Sequence, residues 1–293
     1  MKKVLFLLPL MFIVLSCEVI EAPYFEPEYL SSLPADEKCL LAASEDEPFP
    51  DGYVYKKKVL LEEMTGHQCG NCPNATKEAV KLKEEHGDDL VFISIHAGPL
   101  ANVKTTGTKY TSDYNTEEGT EWYTTLNDRN AVPFGMVDRS SSGTNAKEWT
   151  NFVTSSLAEP AIAGIRITIC YEPDSTELGV VIDVKFAEGA SSSERLSVVM
   201  VEDQIVDWQK DYSSTTGSPD IPDYTHHDIL RATLNGTWGE PLSASDIQPN
   251  ATFTKSYGFE LNPEWDPANC KIIAFLHDFD SKTVHQVAVA SLQ

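Results

Sequence analysis

Positive charge is scarce in these 293 residues: 22 Lys and Arg stand against 45 Asp and Glu, a formal charge of −23. A surface of that sign repels phosphate backbones and anionic headgroups, which excludes nucleic acid as a partner and a basic patch as a membrane hold. Long apolar runs are scarce too. Val4 to Leu15 comes nearest, is shorter than the roughly 20 residues that cross a bilayer, and ends at Cys17-Glu18; no later segment is long enough either. No repeat of fixed period is visible. A second Cys-X-X-Cys or a spaced Cys/His pair is missing, so the four or so ligands of a zinc site are not supplied locally. No cofactor or metal is expected.

The same opening residues carry an address. Met1-Lys2-Lys3 is a short positive region, the apolar stretch follows, and Val14-Leu15-Ser16-Cys17 closes it, the order of a signal peptide over 1–16. The tetrapeptide resembles a bacterial lipobox, which implies a lipid on Cys17 that anchors the chain without spanning the membrane. Loss of Lys2 and Lys3 with the signal would leave a charge of about −25. Residues 17–54 hold many Glu, Asp and Pro (Glu26-Pro27-Glu28, Glu45-Asp46-Glu47-Pro48) and read as an extended, solvated acidic tether. The remaining length, with 41% hydrophobic and 10% aromatic residues overall, suits two folded units.

The first unit, 55–160, reads as α/β. Val59 to Met64 is a strand, Thr65 to Gln68 a loop, and Cys69 and Cys72 arrive at a helix on which Ala75, Ala79 and Leu82 share a face until Gly87. Leu90 to Ile95 is a nearly unbroken apolar run, as in a parallel strand covered on both faces. Residues 97–118 have no clear period and read as an irregular loop. A short helix over Glu121 to Asp128, a break at Val132-Pro133, a strand over Phe134 to Val137 and a helix opened by Asn145 complete the unit. In the second unit, 161–293, the period becomes two: Ile165, Ile167 and Ile169, then Val180, Ile182, Val184 and Phe186. Further strands over 196–201, 252–261, 271–279 and 284–292 favour an all-β sandwich.

A Cys-X-X-Cys between a strand and a helix inside a βαβ pattern is the arrangement of a redox dithiol. Helix N-terminal N–H groups beside Cys69 favour its thiolate. Cys69 would attack a disulfide and Cys72, a turn away, would resolve the product. A passive disulfide is the plainer alternative, and a metal site would need His67, His226 and His227 to converge. Adjacent His226 and His227 should point apart. His96, ending a buried strand, could reach the dithiol's edge but is more simply a hydrogen-bonded core residue.

Strand, Cys69-Gly70-Asn71-Cys72, helix, strand, and then Val132-Pro133 before another strand resemble the thioredoxin superfamily. The resemblance implies a cis-proline at Pro133 that helps dock substrate. It also implies a proton-transfer carboxylate at Glu63, although strand alternation leaves Glu62 or Glu63 as the inward residue. Gln68 departs from the aromatic residue usual before the first cysteine. More narrowly, Glu62 to Pro73, His226-His227-Asp228-Ile229-Leu230-Arg231 and Trp238-Gly239-Glu240, with the lipobox, resemble the Omp28 family of outer-membrane lipoproteins. That implies a thioredoxin-like domain followed by an immunoglobulin-like sandwich, lipid-anchored in the cell envelope at the outer membrane. It fixes no substrate.

Cys39, Cys170 and Cys270 remain. Cys170 and Cys270, both on β segments of the second unit, are candidates for a disulfide, leaving Cys39 free or paired between molecules. Two functions stay open. One is a thiol-disulfide redox protein acting on thiols or disulfides of envelope proteins. The other is a non-catalytic surface lipoprotein with the thioredoxin fold as scaffold and a β domain that binds a partner.

Overall fold

The computed structural model describes residues 33–44, 48–50, 52–173 and 175–292; the signal segment and Cys17 lie outside the described residues. Pro34 to Gln293 form one compact unit. Its elements are α1 (Ala35–Ala43), β1 (Val59–Thr65), α2 (Cys72–His86), β2 (Leu90–His96), α3 (Glu117–Leu126), β3 (Phe134–Val137), β4 (Ser141–Gly143) and α4 (Ala146–Leu157). Ten strands follow: β5 (Ala163–Tyr171), β6 (Glu177–Phe186), β7 (Glu194–Glu202), β8 (Ile205–Lys210), β9 (Asp220–His226), β10 (Ile229–Thr233), β11 (Glu240–Pro241), β12 (Thr252–Glu260), β13 (Cys270–Asp278) and β14 (Val284–Ser291).

Residues on both sides of position 160 build one mixed sheet in the order β14-β13-β7-β10-β2-β1-β3-β4, with β11 beside β7. β1 and β2 run parallel, Val59 opposite Leu90, and both are buried along their whole length. That explains their unbroken apolar runs. The far edge of β2 meets β10, also parallel, with Ile229 opposite Ser94. The motif at 226–231 makes this seam. Asp228 accepts from Lys83 on α2 and from Lys271 on β13, Ile229 and Leu230 are buried, and Arg231 pairs with Glu202 on β7.

On one face of β1 and β2, α2 and α4 bury Ala75, Ala79, Leu82, Trp149 and Val153 against Val59, Leu61 and Phe92. On the other face, Trp122 and Tyr123 of α3 join Leu60, Met64 and Ile93 with Val201, Leu230 and Phe275 in a core that both halves share. The strands β7 and β13 then pack Val198, Met200, Ile272 and Ala274 against Val180, Ile182 and Val184 of a three-stranded sheet, β12-β6-β5. The second half is thus two β layers face to face, as its period of two implies.

Two expectations are corrected here. The acidic segment is not solvated throughout, because α1 folds within it and packs on β5, β6 and β12. Asp36 and Glu37 in its first turn suit the helix N-terminus, and Cys39 and Ala43, one turn apart, face the sheet. Gly179 on β6 permits the approach, since a Cβ there would strike the Ala35 carbonyl. The second correction concerns pairing: Cys170 is bonded to Cys39, with Cα atoms 5.4 Å apart, and not to Cys270. Cys170 lies on β5 in the smaller sheet, whereas Cys270 is buried on β13 in the larger one as a free thiol. Opposing layers about 10 Å apart exceed the reach of a disulfide.

Candidate functional site

The loop after β1 delivers Cys69 and Cys72 to the head of α2, where they form a disulfide with Cα atoms 5.4 Å apart. Pro73 sits in the first turn, whose N–H groups have no internal acceptor. Cys69 is only 2% exposed and Cys72 1%. Val132 and Pro133 are joined by a cis peptide bond, and the Val132 carbonyl oxygen lies 3.7 Å from Cys69 Sγ. An open groove of about 550 Å³ runs past this point, bordered by Asn71, Glu78, Pro133, Thr144 and Lys147.

Both carboxylates of β1 are buried, and they face opposite ways. Glu62 takes a two-point bond from Arg139, at 2.6 and 2.8 Å. Glu63 points toward the dithiol: Thr76 Oγ1 donates to Glu63 Oε2 at 2.9 Å and lies 3.2 Å from the Cys72 carbonyl oxygen. Burial pushes the Glu63 carboxyl up to about 8, against a weaker opposite pull from the Thr76 hydroxyl. Glu63 is therefore mainly neutral at pH 7.

Behind Cys72 lies a cavity just large enough for one water, bordered by Thr76, Ser94, His96, Tyr224 and His226. His96 Nδ1 and His226 Nε2 are buried there without a protein hydrogen-bond partner. Burial lowers His67, pushes His96 well below its ordinary value and brings His226 down to about 4. His67 stacks on Tyr110, with ring centres 5.4 Å apart. His227 turns away and bonds Asp203 at 3.0 Å. Among the described residues, no group of three or more His, Cys, Asp or Glu side chains is arranged to hold a metal ion.

The outer flank of the dithiol loop is covered by the β8–β9 hairpin, which no sequence signal marked. Lys210 N donates to the His67 carbonyl and Tyr212 N to the Gly70 carbonyl, both at 2.8 Å. Gln209 Nε2 donates to the Cys69 carbonyl at 3.0 Å. Polar residues without a strand period, such as Asp207 and Gln209, concealed the hairpin. Thr76 was within reach of inspection, because it lies four residues after Cys72 on the same helix face.

Sequence and geometry together define a chain with a disulfide-closed Cys-X-X-Cys on a mixed sheet that continues into a β-rich half. It belongs to the Omp28 family: the family model described as outer membrane protein Omp28 matches residues 121–293. The family places the chain at the outer membrane of the cell envelope. Cys69 and Cys72 precede the matched region. No helix among the described residues is long and apolar enough to cross a membrane. No curated protein matches the chain.

Among solved structures, HBP35 of Porphyromonas gingivalis shares the fold, with a TM-score of 0.61 at 15% identity over 81% of this chain and 76% of that one. A domain of the outer membrane lipoprotein Omp28 from the same organism aligns at 20% identity over 45% of this chain and 88% of that one, with a TM-score of 0.32. Protein AGR_C_4864 from Agrobacterium tumefaciens aligns at 12% identity over 82% and 96%, with a TM-score of 0.48.

Proposed function

We propose that residues 55–160 are a thioredoxin-like domain joined to an immunoglobulin-like β domain, that Cys17 carries the lipid anchor, and that Cys69–Cys72 exchanges with thiols or disulfides of envelope proteins. The observation that carries the redox reading is the neutral, buried Glu63 carboxyl coupled through Thr76 to the helix turn of Cys72. A passive disulfide has no need of a buried ionisable group that costs stability.

Starting from the dithiol, the Cys69 thiolate attacks a substrate disulfide. One sulfur leaves as thiolate and takes a proton, and a Cys69–substrate bond forms. Cys72 gives up its proton to the Glu63 carboxylate that ionisation provides, and its sulfur displaces the second substrate thiolate. The Cys69–Cys72 bond closes, and two electrons have passed to the substrate. The reverse sequence oxidises a substrate dithiol. The groove beside Pro133 borders the dithiol loop at Asn71.

The reduction potential of the pair, measured in glutathione or dithiothreitol buffers with trapping of free thiols, tests this reading. A value between about −270 and −120 mV is expected, and one below about −300 mV would replace it with a structural disulfide in a scaffold.

A further inference from the structure

The hairpin tip bears a feature that the exchange chemistry does not use. Tyr212, just past the end of β8, is 65% exposed, yet its ring lies flat against Gly70 inside the Cys-X-X-Cys. A Cβ on residue 70 would fall about 2.6 Å from the Tyr212 ring carbons, a distance that real Cβ atoms do not show. The ring thus occupies the space that a Cβ at 70 would need, and this packing against the dithiol loop requires glycine there. Tyr212 N donates to the Gly70 carbonyl, and Asp211 N donates to the Pro219 carbonyl at 2.7 Å, which closes the tip on itself.

The strands below are held firmly. Tyr110 donates to Asp220 at 2.6 Å and Tyr114 to Asp207 at 2.7 Å. Beyond the Tyr212 N–Gly70 carbonyl bond, the tip is tied to α2 by the pair of Lys77 with the buried Asp211 at 3.4 Å, whose lysine is 61% exposed, and a pair with one partner in solvent holds little. A segment with few buried contacts opens far more often than the strands that carry it. Gly217, at φ +86°, provides the turn around which it is built.

We infer that Tyr212 is the specificity-determining residue of this dithiol: the hairpin tip is a cover that admits small thiols to Cys69 and makes macromolecular partners wait for the tip to lift. Gln68 leaves the site without a ring from the adjacent chain, and Tyr212 supplies one from a segment about 140 residues away in sequence. The proposal rests on the thiol-exchange reading but has its own readout, the size dependence of exchange, whereas the reduction potential belongs to that reading alone.

The test is the rate at which Cys69–Cys72 is reduced in the folded, oxidised protein by dithiothreitol and by reduced thioredoxin, followed by alkylation and mass spectrometry of the two cysteine peptides. Tyr212→Ala is expected to raise the thioredoxin rate by about two- to twelvefold, the range that loss of one aromatic contact from a two-state cover allows, and to leave the dithiothreitol rate unchanged. Tyr212→Phe keeps the ring and should match the parent with both reductants. Equal acceleration by both reductants in Tyr212→Ala, or no change with either, would overturn the cover, as would a disulfide that resists both reductants with and without the ring.

Discussion

Adjacent carboxylates on β1 have unlike fates, and the difference lies in what each one faces. Glu62 is compensated, because Arg139 grips it from two nitrogens while its guanidinium rests on the Trp122 and Phe275 rings, 4.9 and 5.1 Å from their centres. Removing one partner strands a buried charge. Arg139→Met should therefore cost about 3–5 kcal/mol in urea unfolding, and combining it with Glu62→Leu should recover much of that loss. Glu63 has no cation, and its raised value fixes the sign of a pH effect. Between about 4.5 and 8 the native state holds a proton that the unfolded state has released, so stability falls as pH rises through that window and levels off above it. Glu63→Gln should abolish this decline, so the variant gains on the parent between pH 5 and pH 8.5 in paired denaturant titrations.

Elements with strong periods were legible in the sequence, and those defined by long-range contacts were not. β1, β2, α2, α4 and the long strands of the second half lie within a few residues of where the apolar spacing placed them, because burial on one or both faces wrote itself into Ile, Val and Leu positions. α3 begins four residues earlier than expected, where Thr116 caps Gly119 N at 2.9 Å. The dithiol loop was legible from the spacing of Cys69 and Cys72 between a strand and a helix, and the cis bond at Pro133 only from the thioredoxin resemblance. α1 was hidden by its acidic composition, and its position depends on Cys170, 131 residues away. Cleaving that link should free the helix. Cys39→Ser is expected to lower stability by about 2–4 kcal/mol under non-reducing conditions and to expose residues 35–43 to proteolysis, an effect that reductant reproduces in the parent but not in the variant. The polar hairpin was illegible too, since its strands are recognised by what they bond, His67 and Gly70, and not by any pattern of their own.

At the scale of the whole molecule, the boundary expected at 160 falls inside a continuous sheet. Residues 55–160 expressed alone would expose Leu60, Met64 and Ile93 along with the edge of β2 that β10 occupies. They should bind hydrophobic dyes and lack a sharp melting transition, while 34–293 should unfold in one step by circular dichroism. One titration lies within the second half: Glu194 on β7 holds His285 on β14 above its ordinary value. The pair's contribution is complete below about pH 6.5 and is lost as pH rises through the folded value. His285→Gln should weaken the protein at pH 5.5 more than at pH 8.5 in thermal melts.

The docking of α1 also sets a length. If the anchor is at Cys17, about 17 residues separate it from the folded body, for a maximum extension of about 60 Å, where a free segment to residue 54 would allow about twice that. Halving a leash cuts the volume it sweeps by about eightfold, and the local concentration of everything within reach rises by the same factor. A single covalent link between Cys39 and Cys170 would then decide how much of the envelope the dithiol can search.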